Sequence, residues 1–415
     1  MSHFNSPVQE PSEAEGGREH RSFRECPAER NCPETGRSCH TTGTWRGCSI
    51  RVIVSSLRQR KSNMLRNAEQ TVQTGPEPLH VSLIAIPEAV VSTLSGIFDV
   101  MNAFVIMPPL GDAQRRAPPF QVEIVGLESG SLSLASRIPV MVQRSITALD
   151  TTDIIIVPSI LLGPEGWRKG RHPELVEWLR AMHRRGALLC SACSGVFLLA
   201  ETGLFDGAEA TVHFGYANAF AAGFPQVHIH PERVLVVSGE REELVSSGAS
   251  MTWHDLVLYL IARHAGATAA QEVARCFALQ WHQDGLTPYM VFEGRNDHGD
   301  VAVQAAQEWV ATHFPVASPL EEMIRRSGLA ERTFKRRFTA ATGLSPIAYV
   351  QRLRIEDAKR RLERTESSVD EIGWQVGYEE PAFFRRLFKR VTGLTPGGYR
   401  RRFKIPEYAQ TRVRD

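Results

Sequence analysis

No apolar run in the 415 residues approaches the roughly 18 needed to cross a bilayer. The opening MSHFNSPVQEPSEAEGGREH lacks the basic-then-apolar texture of a secretion signal. The expectation is a soluble, cytoplasmic protein with no membrane contact. Cysteine is sparse, seven in all, and Cys26, Cys32, Cys39 and Cys48 are unevenly spaced with no C-x-x-C pair among them. That spacing argues against a zinc site in this stretch and leaves reduced thiols. Residues 1–77 also lack core-forming runs beyond CSIRVIVSSL, so they read as a disordered leader. Met64 offers an alternative start, which peptides from before Met64 in the native protein would exclude. Excess charge is missing too, with a net of only +2.

That balance conceals a division. Residues 300–415 carry 22 Lys and Arg against 15 Asp and Glu, a net of +7, while the remaining 26 against 31 give −5. A basic end on a mildly acidic body points to a polyanionic partner, although solvated helix faces give similar counts. Length alone predicts two or three compact units.

From His80 the texture becomes apolar. HVSLIAIP, FQVEIVGL, DIIIVP, GALLC and ELVSSGA alternate with amphipathic stretches such as PELVEWLRAMHRRG and WHDLVLYLIARHAG. Continuous apolar runs separated by helices predict strands buried on both faces with helical crossovers, a doubly wound α/β domain over 78–281. WHQDGLTPYMVFEGRNDHGD then gathers Gly, Pro, Asn and Asp, which places a linker at 282–299. Beyond it the strand texture disappears. Seven helical stretches broken by Gly and Pro predict an all-α domain over 300–405, followed by a tail at 406–415.

Within that domain one pattern occurs twice. TFKRRFTAATGLSPIAYVQRL and FFRRLFKRVTGLTPGGYRRRF align at a shift of 50 from Phe338 onward, pairing Phe338, Thr342, Gly343, Leu344, Pro346 and Tyr349 with Phe388, Thr392, Gly393, Leu394, Pro396 and Tyr399. Each follows a short helix ended by Gly328 or Gly377, where a tight helix-turn-helix needs positive φ. Before the turn the shift is 49, so one residue is added in the second turn. Helical spacing turns Phe334, Phe338 and Ala341 inward and Arg332, Lys335, Arg336 and Thr339 outward. In the second copy Phe384, Leu387, Phe388 and Val391 turn inward, leaving Ala382, Arg385, Arg386 and Lys389 outside. A cationic helix face of this kind fits a major groove, where Arg reads guanine edges and Lys holds phosphate. A single such helix is more often a solvated bundle surface, but repetition at matched spacing favours the reader.

These repeated segments resemble the AraC/XylS family of transcription regulators over about 300–403. The resemblance implies recognition helices at 331–341 and 381–391 joined by the long helix through IAYVQRLRIEDAKRRLE. Ala330 departs from the family pattern by replacing the usual Ser cap, and Ile324 replaces a small residue.

ALLCSACSGVFLLAETGLFDG runs strand, sharp turn, helix, with Cys193 at the turn. A thiol at a helix start sees backbone N–H groups that favour thiolate, the shape of a nucleophile elbow. A small buried cysteine is the commoner reading of a lone thiol. CSGVFLLAETGLFDGAEATVHF, FPQVHIHPERVLVVSG and SSGASMTWHDLVLYLIARHAG resemble the PfpI-like branch of the class I glutamine amidotransferase-like superfamily, flavodoxin-like in fold, as fused to AraC-type domains in GlxA-like regulators. Catalytic relatives place an acid after the first strand to hold the thiol, and many place His directly after the cysteine. Here those positions hold Thr93 and Ser194, and Glu88 lies at the strand end, outside the aligned position.

The expectation is therefore a catalytically inactive sensor domain without cofactor or metal. Its ligand crevice is formed by Cys193, Ser194, Gly195 and His213, with Thr93 and Ser95 across the cleft. By resemblance the effector is a small metabolite such as an amine or amino-acid derivative. The partners are double-stranded promoter DNA, RNA polymerase and a second copy of the chain. The competing reading is a thiol-dependent hydrolase or hydratase using Cys193, tethered to DNA. A scaffold whose basic helices bind acidic proteins is the third.

Overall fold

The computed structural model describes residues 77–106, 118–406 and Ala409. The expected leader and most of the 406–415 tail lie outside them. The chain enters on β1 (Leu79–Ile84), α1 (Val91–Met101) and α2 (Ala103–Ile106), then β2 (Phe120–Gly126), the β3 and β4 hairpin (Gly130–Ser133, Pro139–Val142) and β5 (Arg144–Ser145). It continues through β6 (Ile154–Val157), α3 (Pro173–Arg184), β7 (Leu188–Ala192) and α4 (Val196–Ala200). Next come β8 (Glu209–Ala210), α5 (Ala217–Gly223), β9 (His228–Ile229), β10 (Leu235–Ser238) and β11 (Leu244–Ser247), and the domain closes on α6 (Trp253–Ala265) and α7 (Ala267–Cys276).

Seven of these strands form one sheet in the order β10-β11-β7-β6-β1-β2-β5. All neighbours are parallel except the β10 edge, which runs antiparallel to β11. The chain moves from β1 to β2 on one side, then returns past β1 to β6, β7 and β11 on the other. That reversal is the doubly wound order, and it opens a crevice at the carboxyl ends of β1 and β6. The reason lies in the runs themselves. Ile154–Val157 is buried at every position, as a strand covered by helices on both faces must be. Eight of the 13 residues of α6 are buried, which explains why that helix shows a weak apolar stripe and a nearly continuous apolar run.

Between α7 and the next helix the chain is irregular apart from one short 3-10 turn, Thr287–Tyr289. Seven helices follow: α8 (Val301–His313), α9 (Pro319–Ser327), α10 (Glu331–Thr342), α11 (Pro346–Arg364), α12 (Val369–Gln375), α13 (Pro381–Thr392) and α14 (Pro396–Phe403). They enclose two cores. Val303, Val310, Met323, Phe334, Phe338 and Tyr349 fill the first, and Ile355, Leu362, Ile372, Phe384, Phe388 and Tyr399 fill the second. Helix α11 contributes its first turns to one and its later turns to the other, so a single helix spans both.

The repeated sequence builds the same joint twice. Thr342 and Thr392 each donate back to the carbonyl four residues earlier, at 2.8 and 2.9 Å, and each accepts from the N–H two residues later at 3.2 Å. Gly343 and Gly393 cap their helices in the left-handed region. Ser345 and Thr395 cap the next helices by accepting from Ala348 and Gly398 N–H, ahead of Pro at the first turn. Tyr349 and Tyr399 then meet Phe338 and Phe388 edge-on, with centroids 5.3 and 5.5 Å apart. The conspicuous TGL-Ser/Thr-P punctuation is thus a packing device.

Candidate functional site

Helices α10 and α13 are presented outward by their buried faces. Phe334, Phe338, Phe384 and Phe388 are fully buried, each worth about 1.5–3 kcal/mol in transfer. Arg332, Lys335, Arg336 and Thr339 are all exposed, as are Ala382, Arg385, Arg386 and Lys389. Lys335 pairs with Glu331 at 2.5 Å, Arg385 with Asp370 at 2.5 Å, and Arg386 approaches Glu380 at 3.8 Å. Arg332, Arg336 and Lys389 have no ion-pair partner among the described residues, and Thr339 donates to the Lys335 carbonyl at 2.9 Å. A phosphate or base edge could therefore take several of these cations with little competition, since exposed pairs hold by only about 0–1 kcal/mol.

A buried cation that sequence inspection passes over links the two halves. Arg354, in the middle of α11, is buried and donates to the carbonyl oxygens of Phe314, Val316 and Gly377, each at 2.8 Å. Its guanidinium also lies 5.0 Å from the Tyr378 ring centroid. Burial lowers the pKa of Arg354 and pushes the Tyr378 phenol up to about 12. The chain after α8 and the turn before α13 thus converge on one side chain. Gly377 is required there twice over, because its φ is +94° and a Cβ would sit 2.5 Å from the Pro315 carbonyl oxygen and 2.9 Å from the guanidinium.

The crevice of the α/β domain is built on a strained turn. Cys193 follows β7 with φ +55°, is buried, and its Sγ lies 3.5 Å from Ser250 Oγ. Among the described residues no hydrogen bond joins Cys193 to His213 or Glu88. Gly195 must lack a side chain, because a Cβ would stand 2.5 Å from the carbonyl oxygens of both Val157 and Pro158. Ser194 is buried and engaged with one residue across the turn: its Oγ accepts from Ile160 N–H at 2.8 Å and donates to Ile160 O at 2.6 Å. Thr93 is buried and donates to Ser159 Oγ at 3.1 Å, while Ser95 donates to the Val91 carbonyl at 2.7 Å within α1. Ala89 pairs with Ile160 across the crevice floor, so Thr93, Ser159, Ile160 and Ser194 form one connected polar seam.

Glu88 and His213 are the other titratable side chains that the sequence singles out in this domain. Glu88 is buried and pairs with Arg171 through Oε1 at 2.6 Å, while its Oε2 lies 3.3 Å from His172 Nε2 without a hydrogen bond between them. His213 accepts from Gly215 N–H through Nδ1 at 3.1 Å and stacks on Phe214. Burial lowers its pKa, so the ring is neutral with its proton on Nε2. Three residues before the elbow, Cys190 is fully buried and its thiol is pushed up to about 12. The C-x-x-C spacing of Cys190 and Cys193 therefore offers one accessible thiol chemistry at most. Ser250 is absent from the residues the sequence singles out. It lies 57 positions from Cys193, and only the pairing of β11 with β7 brings the two strand ends together.

This geometry defines a class: a doubly wound domain with a cysteine elbow, followed by a double helix-turn-helix. Residues 105–262 match the DJ-1/PfpI family and residues 323–402 match a helix-turn-helix domain family. The HTH-type transcriptional regulator CdhR of Pseudomonas aeruginosa is 28% identical over 301 residues, 70% of this chain and 85% of that protein. The HTH-type transcriptional regulator GlxA of Rhizobium meliloti is 28% identical over 230 residues, 54% of this chain and 68% of that one. A crystal structure of an AraC family transcriptional regulator from Pseudomonas putida covers 48% of this chain and 100% of its own, at 20% identity and a TM-score of 0.41. The chain joins a DJ-1/PfpI domain to an AraC-type helix-turn-helix domain, the combination of the GlxA-like HTH-type regulators.

Proposed function

We propose that this protein is a sequence-specific regulator of transcription whose α/β domain senses a small metabolite. The observation that carries the reading is the pair of exposed cationic helices, α10 and α13, mounted on one frame closed by Arg354. Two readers on one rigid support fit successive major-groove segments, about 34 Å apart on one side of the duplex. Arg336 and Arg386, at equivalent positions, make base contacts, and Lys335 and Lys389 hold phosphate. A second copy of the chain doubles the site, and promoter DNA with RNA polymerase in the bacterial cytoplasm is the setting.

The crevice binds rather than catalyses in this reading. The position of the acid holds Thr93, whose hydroxyl is committed to Ser159, and Ser194 is committed to Ile160. A thiol without a base partner lacks the roughly 10²–10⁴-fold that general acid–base assistance supplies. Cys193, Gly195 and His213 bound the crevice. An effector of the amine or amino-acid class alters the DNA complex by binding one arrangement of the two domains better than the other.

Genome-wide binding sites followed by footprinting test the reading. Protection of two adjacent major-groove segments at chosen promoters, surviving scrambled competitor DNA at physiological salt, is the expected result. Equal binding to scrambled DNA overturns it. The strained φ at Cys193 favours one other reading, a thiol-dependent hydrolase or hydratase. Turnover of amides or isonitriles that Cys193→Ser abolishes would establish that instead.

A further inference from the structure

Two histidines and an aspartate from separate segments converge at the start of α6. His254 and Asp255 lie in its first turn and are both buried. His282, from the irregular segment beyond α7, returns to meet them. Its backbone N–H donates to Asp255 Oδ1 at 3.0 Å, and its Nδ1 stands 2.7 Å from Asp255 Oδ2. His254 Nε2 is 3.5 Å from the same Oδ2 and 2.9 Å from the Gln280 carbonyl oxygen. The two rings stack with centroids 5.0 Å apart. One ligand-type atom from each of the three side chains lies within 4.8 Å of the other two.

We propose that His254 Nε2, Asp255 Oδ2 and His282 Nδ1 bind a divalent transition ion of the zinc class, with the Gln280 carbonyl or a water as fourth ligand. Tetrahedral bonds of about 2.0–2.1 Å set neighbouring donors about 3.3 Å apart, and the donor separations of 2.7, 2.9 and 3.5 Å bracket that edge. Small side-chain rotations therefore admit the ion. The Gln280 carbonyl and the Asp255 carboxylate can only accept, so His254 Nε2 and His282 Nδ1 carry N–H in these contacts; metal binding moves each proton, by way of solvent, to the ring's other nitrogen and leaves two neutral imidazole ligands. The Asp255 carboxylate is already oriented through Oδ1, the outer-shell support that metal carboxylates use. Imidazole and carboxylate together suit first-row ions over Ca²⁺ or Mg²⁺. His282, with 16% of its side chain exposed, is the open side.

An ion here fastens the α/β domain to the segment that grips the last helix. Asp284 pairs with Arg402 of α14 at 2.5 Å, and Arg402 also donates to the Tyr289 hydroxyl at 2.9 Å. The site does not depend on what the crevice binds, and its test does not involve DNA.

Full-length protein stripped with chelator is titrated with Co²⁺ alone and with Zn²⁺ alone, after its accessible thiols are alkylated so that the N-terminal cysteines cannot compete. The expected result is one tightly held equivalent, with visible Co²⁺ ligand-field bands and no near-ultraviolet thiolate charge transfer. His282→Gln loses that equivalent and Asp255→Asn weakens it at least tenfold. X-ray absorption at the zinc edge of the unsubstituted protein gives a reading free of folding defects, and it must show a nitrogen and oxygen shell with imidazole scattering. Less than half an equivalent bound, a sulfur shell, or undiminished binding by folded His282→Gln overturns the proposal.

Discussion

The two helix-turn-helix halves share their joints and differ in what those joints present. Both use Thr, left-handed Gly, a Ser or Thr cap, Pro and an edge-on Tyr, with geometries that agree within about 0.2 Å. The outer faces diverge: Arg332, Lys335, Arg336 and Thr339 in the first stand where Ala382, Arg385, Arg386 and Lys389 stand in the second. Local support diverges as well. Helix α12 begins with a complete capping box, Ser368 with Glu371, whereas its counterpart α9 has no side-chain cap; α10 and α13 both start without one. Duplication has kept the scaffold and released the surface, which is the division expected when two halves read different bases from a common frame.

The largest effect should come from removing the residue that makes the halves one object. Arg354→Ala leaves the carbonyls of Phe314, Val316 and Gly377 without their donor. At about 1–3 kcal/mol for a buried acceptor, partly relieved by water, a loss of roughly 3 kcal/mol in unfolding free energy is expected by urea titration. Protection of the two groove segments should then become independent. Arg354→Lys, which can reach one carbonyl at a time, should recover only part of both. If neither variant changes the spacing or coupling of protection, the halves are held apart by core packing alone.

Next come the equivalent arginines. Arg336→Ala and Arg386→Ala should each cost about 1–3 kcal/mol of DNA binding and relax specificity at one position, and the two positions should lie about one helical turn apart. Binding to operator libraries reads both. Lys389→Thr, which gives the second half the residue of the first, should weaken all sequences alike and lower the salt slope by about one. Loss of specificity at the same base pair in both arginine variants would break the equivalence of the halves.

Much of this organisation was legible from residue order, and the limits have physical causes. Periodicity marks all seven helices, helped by start and stop chemistry such as Ser345-Pro346 and Gly343. The large strands were equally plain as fully apolar runs. The short pairings β3 with β4 and β8 with β9 were not, since two to four residues carry no period. The elbow at Cys193 was visible because a turn, a thiol and a Gly fall together in sequence. Its neighbours Ser250 and Ile160 were not, because strand adjacency across the sheet places them there. In the sequence Arg354 is one more cation on a long helix. Only the return of two distant carbonyl segments shows why it is buried.

Ala330→Ser should make the first half more like a well-capped helix. Ala330 has extended ψ of 142° and no side-chain oxygen to offer the free N–H groups of α10. A Ser hydroxyl there would accept one of them, a gain of about 1 kcal/mol. Hydrogen exchange of the first-turn amides of α10 should slow accordingly, with those of α13 unchanged. No slowing would mean that the turn already supplies a partner through water.

The smallest effect separates the halves by pH. Glu371 accepts the Ser368 N–H at 2.6 Å, and that bond holds its carboxyl below the usual value of 4.5. A depressed folded-state pKa means that the contribution is fully present above 4.5 and is lost as pH falls through the lower folded value. Glu371→Gln can accept the same N–H without titrating. Near neutrality it should therefore change stability little, while in acid it should flatten the pH dependence of amide protection in α12. Helix α9 has no capping box, and the acid response of its own Glu322, held down to about 2 by Arg325 and Arg326, should be unaltered by Glu371→Gln. An acid response of α12 that persists unaltered in Glu371→Gln would overturn its assignment to the capping box.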